Sequence, residues 1–227
     1  MPPRHKSDRE RLADRARILD AARDLFLSRG TEAVTMREIG RRVQCSATAL
    51  YLHFRDKEDL IRSLCDNDFR AMAEDQRTVM REPDPVLRLT RLARGYVRFA
   101  VECPNHYRLM FMTERPPCDP EQSAIEYGNP EQDAYAQLKA AVQAVFDARL
   151  FRHDLTDPEL IAQTLWAGMH GVCALHITLN RDAWVQWRPF EGRVALMMET
   201  LMRGLLADLP GAGAPPIPTA RTEGASP

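Results

Sequence analysis

The 227-residue sequence has no Cys-x-x-Cys pair, and its five cysteines, at 45, 65, 103, 118 and 173, are an odd number. A disulfide framework is therefore not expected, and reduced thiols in a cytoplasmic protein fit better, with Cys45 and Cys173 standing where small buried apolar residues would serve. No strand-length alternation of apolar and polar residues is found, nor any internal repeat, which removes sandwiches, barrels and solenoids. The charged stretch Met1 to Glu10 is followed by no apolar run, so no signal peptide is expected. Only Leu160 to Leu179 approaches membrane length, and Gln163, His170 and His176 within it point to a buried bundle helix and to no membrane contact. No nucleophile, base and orienting acid converge by spacing, so no enzyme is expected.

What is present is a chain with 44% hydrophobic and 28% charged residues, long enough for a small domain plus a larger one. The net charge of -1 does not suggest a nucleic-acid partner, but its distribution is uneven. Residues 1 to 62 hold 14 Lys or Arg against 10 Asp or Glu, which leaves a balance of -5 for the rest. A modestly basic head on an acidic body suits an N-terminus that faces phosphates. Arg4, Lys6, Arg9 and Arg11 either trail along a DNA backbone or form a solvated basic end.

Local signals divide the head into helices. Ser7 to Glu10 has capping-box spacing and opens a helix to about Ser28, stopped by Gly30, with Ile18, Ala22, Leu25 and Phe26 as its apolar face. Thr35 and Glu38 repeat the capping box, with Ile39 and Val43 at i, i+4, and that helix stops near Gln44. Ser46 caps a second short helix carrying Leu50 and Phe54. Asp56 caps a third, beginning Lys57-Glu58-Asp59-Leu60, whose N-terminal amides and lysine suit a phosphate. Two short helices joined by a tight turn make a helix-turn-helix candidate.

The stretch Thr35-Met-Arg-Glu-Ile-Gly and the longer Ser46-Ala-Thr-Ala-Leu-Tyr-Leu-His-Phe-Arg-Asp-Lys-Glu-Asp-Leu60 resemble the DNA-binding domain of TetR-family transcriptional regulators, over roughly residues 14 to 62. A second, less specific resemblance joins Pro104, Tyr107, Arg108 and Phe111 to Trp166-Ala-Gly-Met-His170-Gly171, similar to the Trp-His-Gly type of C-terminal domain in that family. The resemblance implies that Thr35, Arg37, Ala47, Thr48, Tyr51, His53 and Lys57 touch DNA. Thr35, Tyr51 and Lys57 suit phosphates, and Arg37 and Thr48 suit base edges. Gln44, in the turn where the family usually has glycine, joins this set. It implies either a left-handed backbone that costs about 1 kcal/mol or an altered turn. Cys45 stands where valine is usual, and Ala49 where a phosphate-binding hydroxyl is usual.

Beyond the head, the periodicity predicts a helix from Lys57 to about Arg81, another from Asp84-Pro85 to Pro104, and a short aromatic and Met-rich turn or helix over His106 to Met112. Residues 113 to 129 read as a loop. Asn129-Pro130-Glu131-Gln132 restarts a helix to about Arg152, and two apolar helices follow, at about 158 to 179 and 190 to 206. The tail from Pro210, with 5 Pro and 3 Gly in 18 residues, is expected to be disordered. The expected fold is all-α: a three-helix head over 1 to 62, a helical body over 63 to 207, and a tail over 208 to 227.

The resemblance implies a homodimer formed through the last two long helices, a palindromic double-stranded operator and a small-molecule effector. Leu201 and Leu205 are the expected dimer contacts, on the surplus apolar face of the last helix. Tyr96, Phe99, Tyr107, Met110, Phe111, Trp166 and Met169 either line an effector cavity or fill a core, and His170 is the expected polar contact for an apolar effector. His170, Cys173 and His176 recur at i, i+3, i+6, which sets the outer two roughly 9 Å apart along the axis, too far for one ion. No metal and no cofactor are expected. The competing readings are a small helical enzyme using His170 or His153, and an interaction module that kept the fold and lost DNA binding, which Gln44 and Ala49 would suit.

Overall fold

The computed structural model describes residues 7–113 and 120–207; Arg4, Lys6, Cys118 and the tail from 208 onward lie outside them. Ser7 opens α1 (Asp8–Arg29), its hydroxyl accepting the Glu10 amide while the Glu10 carboxylate accepts the Ser7 amide. Gly30 ends that helix at φ 81, where a side chain would be strained. Thr35 and Glu38 close a second capping box on α2 (Met36–Arg42), Ser46 caps the five-residue α3 (Ala47–Tyr51), and Asp56 caps α4 (Lys57–Asp75). Ile18, Phe26, Ile39, Leu50, Phe54, Leu60 and Leu64 close into one core. Burial of each such side chain contributes about 1.5 to 3 kcal/mol, so the short α2 and α3 are held by packing more than by their own propensity.

The helix expected to reach Arg81 stops at Asp75. Gln76 then turns the chain, and a separate 3-10 turn covers Val79–Arg81. The apolar period continues through this break, because the partly buried Val79 and Met80 also pack on the body core. At the break the Gln76 side chain is seated against Gly95 of the next helix.

That helix, α5 (Pro85–Glu102), has Asp84 accepting the amides of Val86 and Leu87, with proline in its first turn. It runs straight into α6 (Pro104–Phe111), whose Leu109 is fully buried in the head core. The body therefore reaches under the head. Between them lies a buried ion group: Arg23 of α1 donates to Asp68 of α4 at 2.8 Å, and the same carboxylate oxygen meets Nδ1 of His106 of α6 at 2.8 Å.

The next helix, α7 (Ala134–Asp147), begins later than the Asn129-Pro130 signal suggests. Asn129 uses its side chain in a turn, accepting the Glu131 amide, and Asp133 supplies the cap instead, accepting the amides of Tyr135 and Ala136. It also ends earlier than Arg152. Arg149 takes φ 55, its N–H bonds to Phe146 and the Leu150 N–H bonds to Val145, which is the paired hydrogen-bond pattern of a left-handed helix stop.

Two long helices complete the body. Asp157 caps α8 (Pro158–Leu179), and α9 (Phe190–Leu205) lies against it closely enough that a Cβ at Gly168 would stand 2.8 Å from Leu201. Among the described residues α8 is the one helix with the length and composition of a membrane span. Its Ile161, Leu165, Met169, Val172 and Cys173 face is nonetheless buried in the body. Leu205 is also buried, and Leu201 packs on two core clusters, so neither presents the outer dimer surface expected of it.

Candidate functional site

The helix-turn-helix is held by two backbone features. Gln44 is left-handed at φ 59, its N–H bonds to the Arg41 carbonyl and the Cys45 N–H bonds to Gly40 at 2.8 Å. The turn thus has the geometry that glycine usually supplies, with a glutamine side chain carried outward into solvent. Gly40 is the second feature. A Cβ there would lie 2.8 Å from the Cys45 carbonyl oxygen and 2.9 Å from Leu50, so only glycine lets α2 and α3 approach this closely.

Arg37, Gln44, Thr48 and Tyr51 are each exposed, while Ala47 is half-buried. Thr35 is exposed as well, but its hydroxyl donates to Glu38 and accepts the Glu38 amide. The hydrogen bond from Arg29 and those from Thr35 hold the Glu38 carboxyl at about 2, so the cap stays charged through the physiological range. Lys57 is half-buried and donates to the Thr31 carbonyl at 3.1 Å, and Asp56 and Asp59 already occupy the N-terminus of α4. His53 is half-buried, and its carbonyl accepts Arg15, whose guanidinium lies 4.3 Å from the Phe54 ring. Arg41, Arg42 and Arg55 are exposed in the same unit. No spacing signal singles them out, because arginines scattered on solvated helix faces are common.

The body contains an apolar cavity of about 220 Å³ between α4, α5, α6, α7, α8 and α9. Tyr96, Phe111, Trp166 and Met169 line it, four of the eight side chains expected to do so. The other four lie elsewhere. Tyr107 and Met110 are fully buried in the packing behind the wall, Phe99 meets the His106 ring, and His170 is stacked on Tyr107. The wall also includes Phe69 and Met72 from α4, Gln76 that follows it, Tyr135 from α7, and Met198 and Met202 from α9. The signal for the α4 group was present: Phe69, Met72 and Gln76 share one helical face, and an amide in an apolar stripe marks an unusual environment.

One polar chain runs behind this wall. Trp166 Nε1 donates to the Tyr96 hydroxyl at 3.1 Å, the Tyr96 and Tyr107 hydroxyls are 2.8 Å apart, and the Tyr107 hydroxyl is 2.7 Å from His170 Nδ1. Indole is a donor only, and the shortest link joins Tyr107 to the imidazole. Tyr96 therefore accepts from Trp166, and its hydroxyl also stands 3.2 Å from the same Nδ1, so the proton positions on the two hydroxyls follow the histidine tautomer. Burial raises both phenols and lowers His170, so the chain is uncharged near neutrality. His170 thus has its Nδ1 engaged inside the protein, and its ring is not among the residues that line the cavity.

Sequence comparison finds two matches. The family described as bacterial regulatory proteins, tetR family, matches residues 18–64, and the tetracyclin repressor-like C-terminal domain matches residues 89–201. No functionally curated protein matches the chain. Solved structures share the fold. A putative tetR family transcription regulator from Shewanella sp. PV-4 superposes with a TM-score of 0.68 at 13% identity, covering 86% of this chain and 98% of its own. The TetR family transcriptional regulator PfmR from Thermus thermophilus gives 0.62 at 20% identity, covering 90% and 100%. The fatty acid degradation regulator FadR from Bacillus halodurans gives 0.66 at 16% identity, covering 88% and 97%.

Proposed function

The chain belongs to the TetR family of DNA-binding transcriptional regulators, and on that premise we propose that it represses from a palindromic operator as a homodimer and is released by a small, largely apolar effector. The observation that carries the reading is the course of α4. Its first turn lies beside the helix-turn-helix, and its Phe69 and Met72 lie in the cavity wall. A ligand that changes the shape of that wall moves a single helix whose other end stands at the DNA-facing surface. Residues 1–62 meet DNA and residues 63–207 hold effector and partner, in the cytoplasm where the operator is.

Base contacts fall to Arg37 and Thr48, with Gln44 reaching from the turn, and Tyr51 contacts phosphate. Lys57 adds a phosphate contact by turning its remaining N–H groups outward from Thr31. The partner covers the outer side of α8 and α9, where Leu160, Leu175, Leu179 and Leu196 are 59%, 44%, 41% and 65% exposed in one protomer. A two-fold axis through these helices sets the paired heads one turn of DNA apart, about 34 to 36 Å, or a multiple of it.

The test is selection of bound fragments from a random DNA pool, with the protein's mass in solution measured in parallel. A palindromic consensus and a dimer at micromolar concentration are expected. Leu175→Glu combined with Leu196→Glu should give a folded monomer whose operator affinity falls on the order of 100-fold. A wild type that is monomeric throughout, or a selected pool without dyad symmetry, would defeat the reading.

A further inference from the structure

The cavity shares one side chain with a groove on the surface of the body. That groove, of about 600 Å³, runs between α5 and α9, and Val97, Val101, Phe190 and Val194 supply its apolar lining. Among the described residues, Met198 is the one that lines both hollows. They follow the same pair of helices. On α9, Phe190 and Val194 line the groove while Leu201 and Met202 line the cavity, and on α5, Leu89 lines the cavity while Val101 lines the groove. Met198 stands at the changeover, half-buried and packed against both clusters of the body core. An unbranched thioether fills such a gap by contact alone.

We infer that Met198 sets the size limit of the effector: it closes the cavity toward the groove and holds the ligand to an uncharged apolar frame of roughly eight to ten heavy atoms. The inference rests on the cavity being the effector site, as proposed above. The size follows from the volume. An apolar cavity of about 150 Å³ takes benzene, and one of about 220 Å³ takes roughly half as many heavy atoms again. The charge follows from the wall, which among the described residues contains no Lys, Arg, Asp or Glu, so an ionised group would be desolvated there without a partner. Past Met198 the surroundings change, because Arg94, Arg98, Glu102, Glu191 and Glu199 all line the groove. Met72, Met169 and Met202 line the cavity alone, and truncating one of them would enlarge it without opening it to the groove. Truncating Met198 would join the two hollows.

The test uses the full chain and the straight-chain primary alcohols from hexanol to tetradecanol, with binding followed by the change in tryptophan fluorescence. In the wild type, affinity should rise by about 4-fold for each added methylene and stop rising at roughly eight to ten heavy atoms. Met198→Ala should remove that stop, so that affinity goes on rising to the end of the series. Met202→Ala, which frees the same volume within the cavity, should only move the stop by the size of the side chain removed. A measurement on the wild type stands beside the variants in case either fails to fold. The isotope-labelled methyl resonance of Met198, identified by its loss in Met198→Leu, should shift with an alcohol at the size limit and stay in place with hexanol. A wild type that binds without a stop, a Met198→Ala series that stops where the Met202→Ala series does, or a Met198 methyl untouched at every length would overturn the inference and leave the cavity reading standing. A wild type that binds none of the alcohols up to their solubility would overturn both.

Discussion

The two ends of α4 are built on opposite plans. At Lys57 the helix begins on a local signal, Asp56 accepting the Asp59 amide, amid exposed charged residues that belong to neighbouring stretches of sequence. At Gln76 it ends on a tertiary one, a side chain lodged against a glycine nineteen residues further along, within a wall drawn from six helices. The first end is rigid because each cap is satisfied within three residues. The second end surrounds space that the chain leaves unfilled. A signal of ligand binding therefore starts where packing is incomplete and is delivered where local structure is fixed.

The contrast breaks most severely if the joint between the two parts is removed. Asp68→Ala leaves Arg23 with only the exposed Asp20 as a partner and should lower stability by up to about 3 to 5 kcal/mol, read from denaturant unfolding. The penalty should extend to His106, which uses the same carboxylate oxygen. A change below about 1 kcal/mol would mean that head and body are held by apolar packing alone.

Substitutions on the outer face should separate readout from positioning. Arg37→Ala should change preference among operator variants by about 1 to 3 kcal/mol if the guanidinium grips a guanine. Lys57→Ala should weaken all sequences alike and lower the salt slope by about 1. Equal losses on every operator variant for Arg37→Ala would move it to the phosphate class.

The smallest effect sharpens the comparison at the turn. Gln44→Gly removes the strain of a left-handed glutamine and should stabilise the fold by up to about 1 kcal/mol, visible as a higher Tm. Any accompanying loss of operator affinity then measures what the exposed side chain contributes to DNA. A destabilised variant would show that the glutamine side chain holds the turn.

These opposite plans also explain how far the sequence could be read. Ser7, Thr35, Ser46 and Asp56 each cap the helix their spacing announced, and of the two alternatives open at Gln44, a left-handed residue or an altered turn, the left-handed residue is found. Those are short-range facts. The Asn129 signal fell four residues short of the cap that α7 takes, because Asn129 closes a turn and Asp133 accepts the first helical amides, which is a choice the body makes. The break after Asp75 was hidden because Val79 and Met80 extend the apolar period past it. The cavity was half legible for the same reason. Tyr107 and Phe111 lie one turn apart on α6, yet only Phe111 reaches the hollow, and whether an aromatic cluster encloses space depends on all six helices around it.

Operator affinity, titrated with and without a saturating cavity ligand chosen from small apolar compounds that quench tryptophan fluorescence, tests the joint between the two ends most directly. If α4 carries the signal, the ligand should weaken operator binding by about 5- to 150-fold, and bound operator should weaken the ligand by the same factor. A ligand displaced from the site by Trp166→Ala, yet without effect on operator affinity in the wild type, would contradict the account.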